Sequence, residues 1–369
     1  MNYISSLEFI HSQLNYLDLF YQIKINKYSL CVLKKKFFVK TKNKLIKKNI
    51  FLCQYFFNVY LEKINVFIPS FFDLKPWIIF WLFNLKDLLI IPMSNKLYQK
   101  IYKFCGGFFS DQRVGSSFNV STPSLFILYP IILLRCICLT KNDFYRRKEI
   151  EFIYFFIRKL KIKNTNFRAS FVGDTDPRNI YCVFTISSLF NMLTKEISDC
   201  FDFNYNFLKN LDDSFSLEKT RESHGALSFC FLSSEIFYFN SNSMYFPSSF
   251  TKNWIIDKQK IHNNQFQGRT SKLTDSCYFF WLGSISIIFS LPFSDKVYEL
   301  FYLYKERFLS GFCDKPGKTP DIYHTSYSIA SLSFLNFFEK NHQMMTKLNP
   351  IFSLRESKII FFFSFTQIS

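Results

Sequence analysis

The chain has 369 residues, enough for one large domain or two of ordinary size, and a formal net charge of +18 at pH 7. Its ten cysteines, without a secretory signal sequence, exclude a disulfide-stapled secreted scaffold and indicate a reducing, cytoplasmic compartment. The charge favours anionic partners, but the 51 phenylalanines and the many lysines, asparagines and isoleucines indicate a coding bias towards A and T. We therefore expect no nucleic-acid partner.

The N-terminal part differs in composition from the rest of the chain. Residues 1–65 are basic and asparagine-rich and are predicted to form an extension, helical or partly disordered, ahead of one domain at residues 66–369. The best candidate for a membrane span is "STPSLFILYPIILLRCICLT", residues 121–140. Its continuous apolar part, Leu125 to Leu134, is shorter than the roughly 20 residues that a spanning helix needs. We predict a buried helix there and no membrane span.

Four helical segments recur further along the chain: "DPRNIYCVFTISSLF", "ESHGALSFCFLSSEIF", "KLTDSCYFFWLGSISIIF" and "PDIYHTSYSIASLSFL". When Cys182, Cys230, Tyr278 and Tyr327 are taken as equivalent marks, the steps between them are 48, 48 and 49 residues. A period of this length accommodates a pair of helices. Such pairs either stack into an open superhelix or close into a double ring. A ring with its helix starts at one end would present their partial positive charges to an anion.

Polar side chains near these helix starts form a candidate metal site. Asp275, Cys277 and His324 offer an oxygen, a sulfur and a nitrogen ligand, a set that suits zinc with an open fourth position. An Asp-x-Cys pair is common and a single histidine is usually structural. The assignment therefore depends on the fold bringing the segments together.

Two further groups of side chains complete a possible site. A diphosphate would be held by charge-assisted hydrogen bonds from His224, Arg269, Lys272, Tyr278 and Lys318. A slot for a long apolar chain would be lined by Trp77, Trp81, Tyr181, Trp281, Tyr323 and Tyr327. The alternatives are solvated loop charges and ordinary core packing, which are more frequent for any single residue. Together the groups predict a zinc-bound thiolate that attacks the first carbon of an apolar chain whose diphosphate leaves.

The segments "FQGRTSKLTDSCYFFW" and "DKPGKTPDIYHTSYSIASLS" resemble the zinc-site motifs of protein prenyltransferase β-subunits. "KPWIIFWLFNL", "GDTDPRNIYCVF" and "ESHGALSFC" match the same family in its order and spacing. The resemblance implies an all-α fold, a six-plus-six α/α barrel, that works as a heterodimer with a helical-repeat α-subunit. It also implies two cofactors: one Zn²⁺ per β-subunit, and Mg²⁺ for the diphosphate leaving group.

By matched position, the resemblance implies a role for each side chain. The zinc ligands would be Asp275, Cys277 and His324, and Asp314 would hold magnesium near the leaving group. The diphosphate would be held by His224, Arg269, Lys272, Tyr278 and Lys318. The isoprenoid slot would be walled by Trp77, Tyr181, Cys230, Trp281 and Tyr327. The acceptor peptide would be contacted by Arg178, Trp81 and Tyr323.

Within the family, Trp77, Tyr327 and Asp314 favour transfer of farnesyl, from farnesyl diphosphate to the cysteine of C-terminal CaaX motifs. The alternative within the family is the type I geranylgeranyltransferase, whose slot accepts one more isoprene unit. The chain departs from the family in its eroded glycine-rich turns, and in Leu227, which stands where an aromatic isoprenoid contact is usual. The alternative of another class is a non-catalytic basic helical-repeat scaffold, which predicts no bound zinc and strongly salt-dependent binding to nucleic acid.

Overall fold

The computed structural model describes eleven ranges of the chain: residues 74–92, 94–107, 124–138, 147–163, 166–201, 207–218, 220–239, 249–260, 265–291, 311–338 and 346–366. The helices in these ranges are α1 (Lys75–Leu88), α2 (Asn95–Gly107), α3 (Leu125–Cys138), α4 (Arg147–Leu160), α5 (Pro177–Leu189), α6 (Lys195–Ser198), α7 (Gly225–Phe239), α8 (Ser249–Lys260), α9 (Tyr278–Ile288), α10 (Ile322–Phe338) and α11 (Glu356–Thr366). The strands are β1 (Lys161–Ile162), β2 (Asn166–Phe167), β3 (Leu348–Asn349) and β4 (Leu354–Arg355), paired as two antiparallel hairpins. The predicted all-α class is confirmed.

Six helices form a closed inner ring. In chain order α1, α3, α5, α7, α9 and α10 each pack on the next, and α10 packs back on α1. The contact between α10 and α1 excludes the open superhelix and confirms the closed α/α toroid. Helix α3 is buried along its whole length except at Phe126. Such all-round burial is expected for a helix that lies between the centre of the ring and an outer layer.

The outer helices follow a different sequence pattern. In α4 the buried residues are Ile153, Phe156, Ile157 and Leu160, which lie on one face of a helix. Each such side chain contributes roughly 1.5–3 kcal/mol when fully buried. The predicted buried helix at 125–134 is confirmed as α3, and no helix among the described ranges is long and apolar enough to span a membrane.

Four fully buried phenylalanines mark the structural repeat: Phe167, Phe215, Phe266 and Phe312. In the last three repeats, the backbone N–H nine residues later donates to the phenylalanine carbonyl, at 2.9–3.3 Å. The donors are His224, Asp275 and Asp321. In the first repeat the Asn179 side-chain amide donates to the carbonyl of Phe167 at 2.8 Å. These bonds make His224, Asp275 and Asp321 equivalent positions, each just before an inner helix.

One of the four residues that the sequence analysis took as equivalent points of the repeat is therefore wrong. Cys182, Cys230 and Tyr327 are each the sixth residue of an inner helix, whereas Tyr278 is the first residue of α9. The true steps, between the buried phenylalanines, are 48, 51 and 46 residues. The steps vary because the chain between one repeat position and the next phenylalanine differs in length, whereas the spacing of nine residues from the phenylalanine to the repeat position is constant.

The C-terminal segment, residues 346–366, closes one end of the ring. The Thr346 N–H donates to the Leu88 carbonyl at the end of α1, at 3.1 Å. Phe352 packs on Phe237 near the end of α7, with ring centroids 5.2 Å apart. Since these contacts lie at the C-terminal ends of inner helices, the segment covers the end opposite to the helix starts. The segment leaves the end of the ring with the helix starts uncovered.

Candidate metal and diphosphate site

Three of the predicted residues come together at the starts of α9 and α10. The ligand atoms of Asp275, Cys277 and His324 all lie within 4.8 Å of one another. The turns that carry them are tied together, since Ser276 donates through its N–H to the Asp314 carbonyl at 3.1 Å. The Ser276 hydroxyl also donates to a carbonyl of the same turn, at 2.8 Å. Among the described residues this is the one cluster of its kind.

The donor atoms have the chemistry of a zinc site. The Cys277 N–H donates to Asp275 Oδ1 at 2.9 Å, and His324 Nε2 lies 3.3 Å from the same oxygen. These two contacts hold the Asp275 carboxylate beside the imidazole of His324 and the backbone of Cys277. One carboxylate, one thiol and one imidazole are a set that zinc accepts, with a fourth position left for a substrate or water. The residues present therefore fit the metal that the sequence predicts.

The protonation states follow from burial and neighbouring charge. Burial alone would raise the pKa of Asp275, but His324 and Lys315 outweigh it and hold that pKa well below its usual range. Burial alone would lower the pKa of His324, but Asp275 and Asp321 outweigh it and raise that pKa well above its usual value. Burial and the Asp275 carboxylate raise the pKa of Cys277 to about 12. A metal ion has to displace protons from Cys277 and His324 to bind.

Lys315 is a buried part of the site that the sequence analysis missed. Its Nζ lies 2.9 Å from Asp314 Oδ2 and 3.7 Å from Asp275 Oδ2. Burial would lower the pKa of Lys315, but the two carboxylates outweigh it and raise that pKa, so the ammonium stays charged. The predicted residue of the same turn, Lys318, lies three positions on, and its N–H donates to the Lys315 carbonyl.

His224 and Tyr278 meet at the start of α7. His224 Nδ1 accepts the Ala226 N–H at 3.1 Å, and its Nε2 lies 3.3 Å from the Tyr278 hydroxyl oxygen. Burial, together with the cations Arg269 and Arg178, lowers the pKa of His224 to about 3. The ring is therefore neutral, with its hydrogen on Nε2, and it donates to Tyr278. This bond orients the phenol at the mouth of the ring.

The absence of a side chain at Gly268 leaves room for the Tyr278 ring at the mouth of the inner ring of helices. A Cβ at residue 268 would lie 1.8 Å from the Tyr278 ring, so no other residue fits without moving the phenol. The Gly268 carbonyl also accepts the Gly225 N–H at 2.7 Å, and this bond joins the turn that carries Arg269 and Lys272 to the start of α7. Arg269 directly follows this glycine, and Lys272 closes the same turn through its N–H to the Arg269 carbonyl.

Eight aromatic rings form a closed circuit beneath these polar groups. Every inner helix contributes at least one ring, from within its first seven residues. At about 1.5 Å per residue, the circuit lies within about 10 Å of the helix starts. The centroid distances, in order around the circuit, are Trp77–Tyr129 5.6 Å, Tyr129–Tyr181 5.9 Å, Tyr181–Phe229 5.3 Å, Phe229–Trp281 5.1 Å, Trp281–Tyr327 4.6 Å, Tyr327–Tyr323 4.8 Å, Tyr323–Trp81 5.1 Å and Trp81–Trp77 5.6 Å.

Comparison with known proteins agrees with this architecture. The sequence profile of the prenyltransferase alpha-alpha toroid domain matches residues 53–354. The chain belongs to this family, among the protein prenyltransferase β-subunits. The protein farnesyltransferase β-subunit of Schizosaccharomyces pombe is 25% identical over 317 residues, which are 77% of this chain and 78% of the relative.

Proteins named as geranylgeranyl transferases also match. The geranylgeranyl transferase type-1 β-subunit of Arabidopsis thaliana is 29% identical over 177 residues, which are 44% of this chain and 46% of the relative. A solved structure, Candida albicans protein geranylgeranyltransferase-I complexed with GGPP, has a TM-score of 0.68 at 21% identity, covering 86% of this chain and 98% of that chain. This structure supports the toroid fold.

The aromatic circuit of this prenyltransferase β-subunit contains all six predicted slot aromatics and two more, Tyr129 and Phe229. The sequence analysis missed Tyr129 because it lies in the apolar segment 121–140, and it missed Phe229 because that residue is one of 51 phenylalanines. Their position in the repeat could have identified both residues, since Tyr129, Tyr181 and Phe229 are each the fifth residue of their helices. Cys230, predicted to wall the slot, follows Phe229 and is buried.

Arg178, predicted to face the acceptor peptide, is held at the start of α5. Its Nε donates to Asp176 Oδ1 at 2.8 Å, and a second guanidinium nitrogen lies 2.5 Å from Asp176 Oδ2. Asp176 also caps α5, because its Oδ1 accepts the Arg178 N–H at 2.8 Å. The side chain of Arg178 is only half-buried and acts electrostatically on His224, which places it at the same end of the ring.

The lowered pKa of His224 predicts a loss of stability in acid. Its folded pKa, about 3, lies below the usual value of about 6.5. As the pH falls through 6.5, the unfolded chain takes up a proton that the folded chain refuses. The free energy of unfolding should fall by up to about 1.4 kcal/mol per pH unit. Urea unfolding between pH 7 and 4 should show a shallower decline for His224→Gln than for wild type. Equal slopes would contradict the assignment.

Proposed function

We propose that the chain is the catalytic β-subunit of a protein farnesyltransferase, which transfers farnesyl from farnesyl diphosphate to the cysteine of C-terminal CaaX motifs. One observation carries the proposal: the metal-ligand cluster and the His224–Tyr278 pair lie at the mouth of a ring whose interior is lined with aromatic side chains. A thiol, a diphosphate and a long apolar chain thus each find a matching group within one site.

A bound metal would act on the thiol of the acceptor peptide. Asp275, Cys277 and His324 would hold zinc, which when bound makes a coordinated thiol ionise at neutral pH. The chain's own contribution is to keep the three ligands in place through the bonds to Asp275 Oδ1. The aromatic circuit would keep water away from the isoprenoid where its first carbon meets the thiol.

The leaving diphosphate would be stabilised by groups that are already oriented before it arrives. Neutral His224 orients the Tyr278 phenol, and Arg269 follows the glycine that accommodates that phenol. The starts of α7 and α9 add the partial positive charge of helix N-termini. Preorganised donors of this kind stabilise charge as it develops, without a cost of reorganisation during the reaction. Lys272 and Lys318 would complete the set from the adjoining turns.

Magnesium would assist at Asp314. Magnesium is usually held by one or two carboxylates together with substrate phosphates, and Asp314 offers one carboxylate beside Lys315. We expect Asp314→Lys to make transfer largely independent of magnesium, because a tethered ammonium would replace part of the ion's charge. The measurement is a magnesium titration of peptide prenylation. Asp174→Lys, which makes the same charge change in an exposed turn, is the control, and an unchanged titration in Asp314→Lys would contradict the role.

The second candidate is a geranylgeranyltransferase of type I, supported by the Arabidopsis relative. We favour farnesyl because bulky side chains would limit the depth of the slot. Bulky rings at Trp77 and Tyr327 narrow the circuit, and the Tyr181 hydroxyl below donates to the Ile351 carbonyl of the closing segment at 2.6 Å. These groups limit the depth available to an isoprenoid.

A transfer assay tests the proposal. The chain would be co-expressed with a protein prenyltransferase α-subunit and offered both diphosphates with one CaaX peptide. We expect a higher kcat/KM for farnesyl diphosphate. A preference for the longer donor would favour the type I enzyme. No transfer, no bound zinc and salt-dependent binding to RNA would favour the non-catalytic scaffold instead.

The remaining assignments also belong to the proposal. An α-subunit partner follows from membership in the β-subunit family. A reducing, cytoplasmic location is supported by the eight described cysteines, which are all buried and form no disulfide with one another. The predicted extension, residues 1–65, lies outside the described residues, and the family profile begins within it at residue 53.

A further inference from the structure

Two of the predicted diphosphate ligands, Arg269 and Lys272, lie on one short turn, residues 268–272, ahead of the inner helix α9. Within the turn the Lys272 N–H reaches the Arg269 carbonyl at 3.4 Å, which is longer than most backbone hydrogen bonds. Ser271 has a φ of 58°, a left-handed conformation that persists only where the surrounding structure holds it. Contacts from outside the turn therefore have to fix its shape.

Lys258, in the outer helix α8, makes two such contacts. Its Nζ donates to the Thr270 hydroxyl, between the two cations of the turn, at 2.7 Å. Its backbone carbonyl accepts the N–H of Gln267, the residue just before the turn, at 3.0 Å. The Gln267 side chain in turn donates through Nε2 to the Lys272 carbonyl at 2.7 Å. Lys258 and its partner Gln267 thus hold the beginning, the tip and the end of the turn.

The Lys258 side chain is enclosed, although the turn that it contacts is open to solvent. Lys258 is 6% exposed, whereas Thr270 is exposed. The ammonium lies over the Trp254 indole, 5.2 Å from the ring centroid, as in a cation–π contact. Burial lowers the pKa of Lys258, and three carboxylates oppose this shift: Asp212, Glu222 and Asp257. Packing on the indole leaves the side chain few orientations, so its donor meets Thr270 from a fixed direction.

We propose that Lys258 is a positioning residue for the diphosphate: its bond to Thr270 fixes the 268–272 turn with Arg269 and Lys272 directed at the leaving group. The inference rests on the proposed function, in which these two cations hold the diphosphate. Lys258 acts through Thr270 and does not itself contact the substrate. Cations that are oriented in advance stabilise the departing charge without a cost of reorganisation.

Two substitutions break the same bond from opposite sides. Lys258→Met keeps a long apolar side chain against Trp254 but removes the donor. Replacing a buried cation with an apolar residue of similar size is often neutral or stabilising, so this variant should fold. Thr270→Val keeps the charge of Lys258 and removes the acceptor at an exposed position. Because both changes remove one bond, their effects should not add in the double variant.

The experiment uses the full-length chain assembled with its α-subunit, and inorganic pyrophosphate as the probe. The inhibition constant for pyrophosphate should rise about 10-fold in each single variant, and no further in the double variant, because the bond involves a charged group. The kcat/KM for farnesyl diphosphate should fall to a similar extent. Zinc content and the KM for the CaaX peptide should stay at wild-type values, which a general loss of structure would not allow.

The matched control is Lys252→Met. It removes the same charge from α8 six residues earlier, about 9 Å along the helix, and should leave the pyrophosphate constant unchanged. An equal rise in this control would overturn the inference, because any lost charge in α8 would then have the same effect.

The other outcomes are equally distinct. Pyrophosphate constants within about twofold of wild type in both single variants would overturn the positioning role. A rise in Lys258→Met without one in Thr270→Val would also overturn it, since Lys258 would then act through its charge alone. Loss of zinc and of peptide affinity in both variants would point to a disturbed fold and would likewise overturn it. Each of these results leaves the proposed function intact, whereas a wild-type protein that transfers no isoprenoid would overturn both.

Discussion

Cys277→Ala and His324→Ala are each expected to abolish zinc retention and CaaX-peptide farnesylation, because each removes one of three ligand atoms that lie within 4.8 Å of one another. Without the metal, a peptide thiol with a pKa of about 8.5 is only a few per cent ionised at pH 7. Farnesyl diphosphate should still bind, since it depends on the cations and the aromatic circuit. Metal analysis, a transfer assay and a diphosphate-binding measurement on the same preparations check the three parts separately.

The matched control is Cys313→Ala. Cys313 is also a buried thiol, in the turn before α10, but it contacts the site through its backbone carbonyl, which accepts the Ser276 hydroxyl. This variant should keep zinc and activity. Full activity in a zinc-free Cys277→Ala protein would refute the metal assignment, and loss of diphosphate binding in that variant would show that the two halves of the site are not independent.

The metal cluster was predictable because its parts are local signals. Asp275 and Cys277 lie beside one helix start, and His324 lies at the start of a second segment with the same pattern. Only the packing of α9 against α10, which brings the two segments together, had to be supplied by the fold. The repeat register was harder to predict, because the segments between one inner helix and the next buried phenylalanine vary in length, and the constant mark is one phenylalanine among many.

The supporting residues were missed for physical reasons. Lys315 and Lys318 are equally charged and share one short turn, so the sequence does not reveal which ammonium folds inward against Asp275. Asp321 could have been noticed as a helix cap, but its contact with the His324 ring depends on a side-chain rotamer. The sequence pattern therefore located the three candidate metal ligands, whereas the charged side chains that contact them are seen only in the folded structure.

Trp77→Thr is expected to shift the donor preference from farnesyl towards geranylgeranyl diphosphate. Trp77 packs between Trp81 and Tyr129, 5.6 Å from each, so its loss opens the aromatic circuit at one point. An isoprene unit adds five carbons, and burying each contributes roughly 0.8 kcal/mol, less the cost of ordering the chain. In wild type the longer chain would displace its first carbon from the thiol, and a displacement of about 1 Å can cost on the order of a hundredfold in rate.

The measurement is the ratio of kcat/KM for the two donors with one CaaX peptide, and that ratio should move towards the longer donor while the zinc content stays at the wild-type value. Trp254→Thr is the control. Trp254 is buried in α8, outside the inner ring, and its indole lies under the Lys258 ammonium. Removing it should lower stability without changing the ratio. If wild type already prefers the longer donor, or if the Trp77→Thr ratio does not move, Trp77 does not limit the slot. The farnesyl assignment then fails with it, because the narrowing of the circuit is its physical basis.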